Sequence, residues 1–221
     1  MKPRKVYHRL FFDLLFSKPL CLLCGLPHSQ SGQICHGCKD ELPWLDQNCH
    51  QCALPLSSPA VTLKQPSSLR CGQCIRHPPS FDRSFAAFSY DPPIPKLVSE
   101  IKNRARLDTF ELATELFVER FATQVRHLPP DLIIPVPLHP RRLYERGYNQ
   151  AQEWAHSLGQ RLMIPCDNSS CRRILNTPHQ QGLSAKARHR NLKDCFRLEP
   201  TFTATRVAIV DDVMTTGTTT E

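Results

Sequence analysis

The 221-residue sequence contains no apolar run approaching the roughly 20 residues of a membrane-spanning helix, which argues against a span. Its apolar share, 40%, is ordinary for a globular chain. No secretion signal is expected either. Leu10 to Phe16 is apolar apart from Asp13 and follows basic residues, but it is short, charge-interrupted and without a small-residue cleavage site. An amphipathic leading helix is the better reading. Acidic residues are in deficit: 20 Asp+Glu against 28 Lys+Arg give a net +8 and a pI near 9.0. Such a balance permits contact with nucleic acid or with anionic small molecules. The deficit is local, since 12 Lys/Arg stand against 5 Asp/Glu from Arg141 to Arg206, a balance of +7.

Cysteine, by contrast, is abundant. Of eleven, eight form four CxxC pairs: Cys21/Cys24, Cys35/Cys38, Cys49/Cys52 and Cys71/Cys74. An odd total without a secretion signal argues against a disulfide scaffold and for a cytoplasmic setting, where thiols grouped this way serve as zinc ligands. Each CxxC can make a tight knuckle with two sulfurs facing one metal, and two knuckles complete a site of four thiolates. Ten residues separate Cys24 from Cys35, and eighteen separate Cys52 from Cys71. Sequential pairing therefore gives two ribbons, Cys21/Cys24/Cys35/Cys38 and Cys49/Cys52/Cys71/Cys74, while interleaved pairing stays open at this level. Redox CxxC chemistry and free thiols are the competing uses. Four thiolates close each site, so a structural role is expected, with His36, His50 and His77 as neighbours rather than ligands. Pro and Ser dominate from Pro55 to Ser68. Zinc would thus supply much of the folding energy of a module covering residues 1–80.

His77-Pro78-Pro79 marks a boundary, and Ser84 to Tyr90 reads as a strand with Phe85 and Phe88 as burial candidates. Two helices follow, Ile94 to Arg106 with a basic end, and about Thr109 to Val125 with Phe110, Ala113, Phe117, Phe121 and Val125 at helical spacing. Leu132 to Pro137 is a buried strand closed by prolines. Arg141, Arg142 and Arg146 lie close together beyond it, beside Gly147 and two amides, and suit an anion; a solvated basic helix start is the alternative. A helix from Gln150 to Leu162 comes next, with Ala151, Trp154, Ala155 and Leu158 inward. Cys166, Cys171 and Cys195 read as unpaired thiols. Gln180 to Phe196 carries Lys186, Arg188, His189, Arg190 and Lys193, as either a basic loop over an anionic ligand or an exposed helix.

The final stretch, RVAIVDDVMTTGTTTE from Arg206, organises the rest. Val207 to Val210 reads as a strand buried on both faces of a parallel sheet. Asp211 and Asp212 stand where that strand would end, which is where ligands bind in open parallel sheets. Carboxylates suit hydroxyl donors or a bridging magnesium ion. The loop Thr215-Thr216-Gly217-Thr218-Thr219 offers backbone N–H groups to a phosphate. A ribose phosphate satisfies both halves; a solvated acidic turn is the bland alternative. An apolar strand, two acidic residues, two apolar residues and a Thr/Gly loop resemble the phosphoribosyl-pyrophosphate (PRPP) loop of type I phosphoribosyltransferases. That resemblance implies ribose hydroxyls on Asp211 and Asp212, and the 5′-phosphate within Thr215 to Thr219.

Together the parts resemble the ComF (competence protein F) family. The likeness rests on the CxxC-rich start, Ile134-Pro135-Val136-Pro137-Leu138, Arg146-Gly147-Tyr148-Asn149-Gln150, Gln181-Gly182-Leu183-Ser184 with Arg188 and Asn191, and the closing loop. It implies an α/β type I phosphoribosyltransferase fold over 81–221, a parallel sheet flanked by helices, behind the zinc-ribbon module. It implies PRPP with magnesium as ligand, pyrophosphate contacts within Val136 to Arg142, and a role in DNA uptake with single-stranded DNA and other uptake proteins as partners. Arg141, Arg142, Arg146, Lys186 and Arg188 are the expected anion contacts. Family members continue past this loop with a helix and a strand that the sequence does not contain, and phosphate binding by the chain as given is therefore expected to be weak. Two functions follow: an enzyme transferring ribose 5-phosphate from PRPP to an acceptor, or a binding module that keeps the PRPP site and grips DNA. No residue announces itself as a general base, so the catalytic residues are unknown and the balance tips slightly to binding.

Overall fold

A computed structural model of the chain describes residues 18–56, 69–104, 107–177, 192, 194–199 and 202–214. The expected leading helix, most of the Pro/Ser stretch, Lys186 and Arg188, and the loop Thr215, Thr216, Gly217, Thr218, Thr219 lie outside the described residues. The chain divides into two compact units, residues 1–42 and 43–221. The first tetrad of cysteines belongs to the former and the second to the latter. In the first unit, the described structure is a knuckle around Cys21 to Leu26 and a short helix, α1 (His36–Asp40).

The second unit is α/β. It opens with the second cysteine region, which contains the short helix α2 (Gly72–Arg76). Ser84 to Tyr90, expected as a strand, is extended but pairs through a single bridge between Phe88 and Trp44, flanked by Leu45 N–H to Ala87 O (3.0 Å) and Ser89 N–H to Pro43 O (2.9 Å). Its partner segment is too short to continue the ladder. Two helices follow, α3 (Ile94–Arg104) and α4 (Leu107–His127). Burial on α4 covers two faces rather than the expected one: Phe117, Val118, Phe121 and Val125 meet the central core, while Phe110, Leu112 and Leu116 are buried elsewhere along the helix. Arg120 ties α4 to the cysteine region, donating to Leu45 O and Asp46 Oδ1 at 2.8 Å each.

Strand β1 (Leu132–Pro135) then enters the core, followed by α5 (Pro140–Arg146) and α6 (Gln150–Leu162). Gly147 at φ 85° ends α5, and the Asn149 side chain caps α6 by accepting from Ala151 N–H. An antiparallel pair, β2 (Cys171–Arg173) and β3 (Phe196–Leu198), precedes the last strand, β4 (Val207–Val210). β4 runs parallel to β1 in the register Leu132↔Val207 to Pro135↔Val210. Asp131 fixes the start of that register by accepting from Arg206 N–H (2.9 Å) and its guanidinium (3.1 Å). On its other edge β1 meets residues 165–167, through Ile133 N–H to Pro165 O and Asp167 N–H to Ile133 O. β1 is thus enclosed, whereas β4 is not. Val207 and Ile209 are 36% and 48% exposed, so the expectation of a strand buried on both faces fails for β4: among the described residues nothing covers that face.

α6 lies on α4, β1 and β4, and around them Ile133, Ala155, Leu158, Ile164, Val125 and Val210 form the core. The closest approach is at Gly159 on α6, where an added Cβ would sit 2.8 Å from the Ile164 carbonyl oxygen. That oxygen belongs to backbone and cannot swing aside. Gly159→Ala is expected to destabilise the protein by about 1–3 kcal/mol through overpacking, despite alanine's better helix propensity, as read by denaturant unfolding.

Candidate functional site

The cysteines form two similar centres. In the first, Cys21 N–H bonds Leu26 O (2.9 Å) and Gly25 N–H bonds Cys21 O (2.8 Å), a knuckle that aims Cys21 and Cys24 together. In the second, Cys49 N–H bonds Leu54 O (2.9 Å) and Ala53 N–H bonds Cys49 O (2.8 Å). The left-handed position held by Gly25 (φ 72°) in one is held by Ala53 (φ 57°) in the other. Cys35 and Cys71 each stand at the N-cap of a five-residue helix that carries Cys38 or Cys74. Within Cys21/Cys24/Cys35/Cys38 and within Cys49/Cys52/Cys71/Cys74, all four sulfurs lie within 4.8 Å of one another. The pairing is therefore sequential, not interleaved.

The donors fit zinc. A tetrahedral thiolate site with Zn–S near 2.3 Å sets its sulfurs about 3.8 Å apart, and Cys24–Cys35 and Cys52–Cys71 are separated by 3.9 and 3.7 Å. Electrostatics point the same way. Burial raises the Cys21 and Cys49 thiols, but backbone N–H groups outweigh it and bring each to about 6. Cys52 is pushed up to about 11, chiefly by burial, and Cys38 and Cys74 are driven up by burial and by their sulfur neighbours. Four thiolates this close cannot all ionise without a cation, which a divalent metal supplies. Both tetrads support structural zinc ions.

A different site is built at the carboxyl ends of β1 and β4. Val136 N–H bonds Val210 O (2.9 Å), which sets the loop after β1 beside Asp211 and Asp212. The Asn149 side chain bonds Val136 O (3.0 Å) from the other side, so the buried cap of α6 also pins this loop. Asp212 N–H bonds Asp211 Oδ1 at 2.9 Å. Burial, and then the neighbouring Asp212 carboxylate, push the Asp211 carboxyl well above the ordinary carboxylate range. Lys102 of α3 reaches Asp212 Oδ2 at 2.5 Å, an ion pair that sequence reasoning did not single out. Met214 packs against the buried cluster of Cys49, Cys52 and Cys74.

Among the described residues, the expected anion-binding arginines Arg141, Arg142 and Arg146 each have a different partner. Arg141 is exposed and pairs with Glu145 (3.1 Å) within α5. Arg142 donates to Thr177 O (2.5 Å), and Arg146 donates to Gln150 Oε1. Beside them lies a cleft of about 370 Å³, bounded by Pro137 and Leu138 after β1, Leu143 of α5, and Arg173 with Ile174 at the end of β2. Arg173 is a second residue that sequence reasoning missed. An arginine in a polar stretch reads as solvated, and the contacts of Arg173 with Thr177 and the Phe196 ring come from the folded chain.

No helix among the described residues is long and apolar enough to cross a membrane. A family model for the double zinc ribbon domain matches residues 11–75. DNA utilization protein YhgH of Salmonella typhi is 36% identical over 204 residues, covering 90% of this chain and 86% of that protein. Competence protein F of Haemophilus influenzae is 36% identical over 207 residues, with 90% and 86% covered. Competence protein ComFC of Bacillus subtilis is 24% identical over 226 residues, with 91% and 85% covered. No solved structure matches. With two tetrads behind a double-ribbon signature and relatives of this similarity along nearly its whole length, the chain belongs to the ComF family of competence and DNA utilization proteins.

Proposed function

We propose that this protein binds PRPP at the carboxyl ends of β1 and β4 and acts in DNA utilization, gripping single-stranded DNA through its basic surface. The observation that carries the reading is the Val136–Val210 hydrogen bond, which brings the loop after one parallel strand against the paired carboxylates after its neighbour. Asp211 and Asp212 would accept from the ribose hydroxyls, with Lys102 held on Asp212 until ligand hydroxyls compete for it. Asp211 and Asp212 would hold a magnesium ion, which would supply positive charge to offset the diphosphate. Thr215 to Thr219 would wrap the 5′-phosphate. The fold assigned on this reading is that of a type I phosphoribosyltransferase over 81–221, behind a ribbon module of 1–80.

DNA enters from the names of the relatives and from α5. Tyr144 is 91% exposed on the same helix as exposed Arg141, which offers a stacking platform next to a cation. Tyr148 is committed elsewhere, its hydroxyl donating to Ile101 O. Two titrations test the proposal. Magnesium–PRPP is expected to bind the wild type, with the Asp211→Asn/Asp212→Asn double variant losing most of that affinity. A single-stranded oligonucleotide is expected to bind with steep salt dependence, and Tyr144→Ala to weaken it by about 1–3 kcal/mol. Equal PRPP affinity in the double variant would sink the ligand assignment. Salt-insensitive or absent DNA binding would sink the second half.

A further inference from the structure

Arg173 is 7% exposed, and its Nε finds no acceptor among the described residues. One Nη donates to Thr177 Oγ1 at 2.6 Å, and the guanidinium carbon lies 5.7 Å from the centre of the Phe196 ring. These contacts hold the group in place without neutralising it. A guanidinium out of water with one hydroxyl partner is costly unless an anion completes it.

The chain's own acids do not supply that anion. Glu199 is paired with the adjacent Arg172 at 3.2 Å, and Asp212 with Lys102 at 2.5 Å. Burial and then the Arg142 cation oppose the Arg173 charge, and Cys195 and Asp211, which favour it, do so less strongly. From Pro178 to Lys193 the sequence contains no Asp or Glu, and the acid of this connection, Asp194, is exposed. The cation faces a cleft whose lining includes Pro137, Leu138, Leu143, His139 and the exposed, Glu199-paired Arg172, next to the proposed ribose site. Arginine's planar fork matches a phosphate oxyanion with two parallel donors, which a single hydroxyl partner leaves unused.

We infer that Arg173, rather than the arginines of α5, is the fixed cation that holds the diphosphate end of the ligand in this cleft. The inference rests on the PRPP reading for the identity of that ligand, but not for the existence of an oxyanion site. Arg142 serves it indirectly: both arginines grip Thr177, which fixes the chain at the point where β2 leaves the sheet.

The experiment is calorimetric titration of the full chain with magnesium pyrophosphate at low salt. Arg173→Gln is expected to weaken binding roughly 10- to 100-fold, the range for losing hydrogen bonds to a charged group. Arg161→Gln, which removes the same charge from the exposed end of α6, is expected to leave it unchanged. If Arg173→Gln fails to fold, Arg173→Met keeps length and the contact with Phe196 and carries the same expectation. Wild-type pyrophosphate affinity in the folded variant overturns the inference, as does absence of pyrophosphate binding in the wild type. Loss of oligonucleotide binding with pyrophosphate affinity intact overturns it in favour of a DNA-backbone contact. Pyrophosphate binding that depends on Arg173, in a protein that does not bind PRPP, upholds the oxyanion site while removing the PRPP reading.

Discussion

Cys49→Ser is expected to lower the zinc content from two ions to one and to destabilise the 43–221 unit severely, whereas Cys24→Ser should lose one ion with little effect beyond residues 1–42. The asymmetry follows from burial. Cys49, Cys52 and Cys74 are 0%, 7% and 4% exposed and form a cluster on which Leu54, Phe81 and Met214 pack. Cys24 is exposed. Structural zinc contributes on the order of 10 kcal/mol at neutral pH, comparable to the whole stability of a domain. Removing one ligand from the buried tetrad also leaves polarised sulfurs in an apolar setting. Metal analysis of the purified variants, followed by thermal melting monitored by circular dichroism, checks both halves. Retention of two ions by Cys49→Ser would contradict the assignment, and equal melting of the two variants would contradict the asymmetry.

Asp211→Asn is expected to raise the melting temperature at pH 7 while removing most PRPP affinity. Burial and the Asp212 carboxylate raise the folded-state pKa of Asp211 above that of the unfolded chain, so the folded protein holds this proton to higher pH. Stability therefore falls as pH climbs from the ordinary carboxylate range through the raised value, and that loss is complete above it. Asparagine has no charge to desolvate. The gap between variant and wild type should close on acidification toward about pH 4, where the unfolded-state carboxyl also takes up its proton. Melting curves across pH decide it: identical melting temperatures at pH 7 would show that the carboxylate is not strained. Strain of this kind is expected where a group is kept for a ligand rather than for the fold.

Much of this was legible in the residues because the features involved are local. Four apolar residues followed by Asp211-Asp212 mark both a strand and its end. CxxC spacing determines a knuckle whatever surrounds it. The basic stretch from Arg141 to Arg146 was legible as a helix only in its alternative reading, as a solvated basic helix start. What escaped depends on partners distant in sequence. Ser84 to Tyr90 reads as a strand, but among the described residues its partner is the short stretch Pro43 to Leu45. Leu112 and Leu116 are buried because α4 is covered along more than one face, which a single helical stripe does not reveal. Lys102 and Arg173 gain their meaning from Asp212 and from the β2–β3 pair, contacts that no periodicity encodes.

Met214 lies two residues beyond Asp212 and rests on the second cysteine cluster. On the PRPP reading, metal and ligand would thereby be thermodynamically linked through one side chain. Whatever free energy the zinc contributes to ordering the carboxylate loop, ligand binding must return in equal measure to zinc retention. At equilibrium a saturated protein would hold its second ion against a chelator more tightly than an empty one. The cysteines would then serve as a gauge of site occupancy as well as a scaffold.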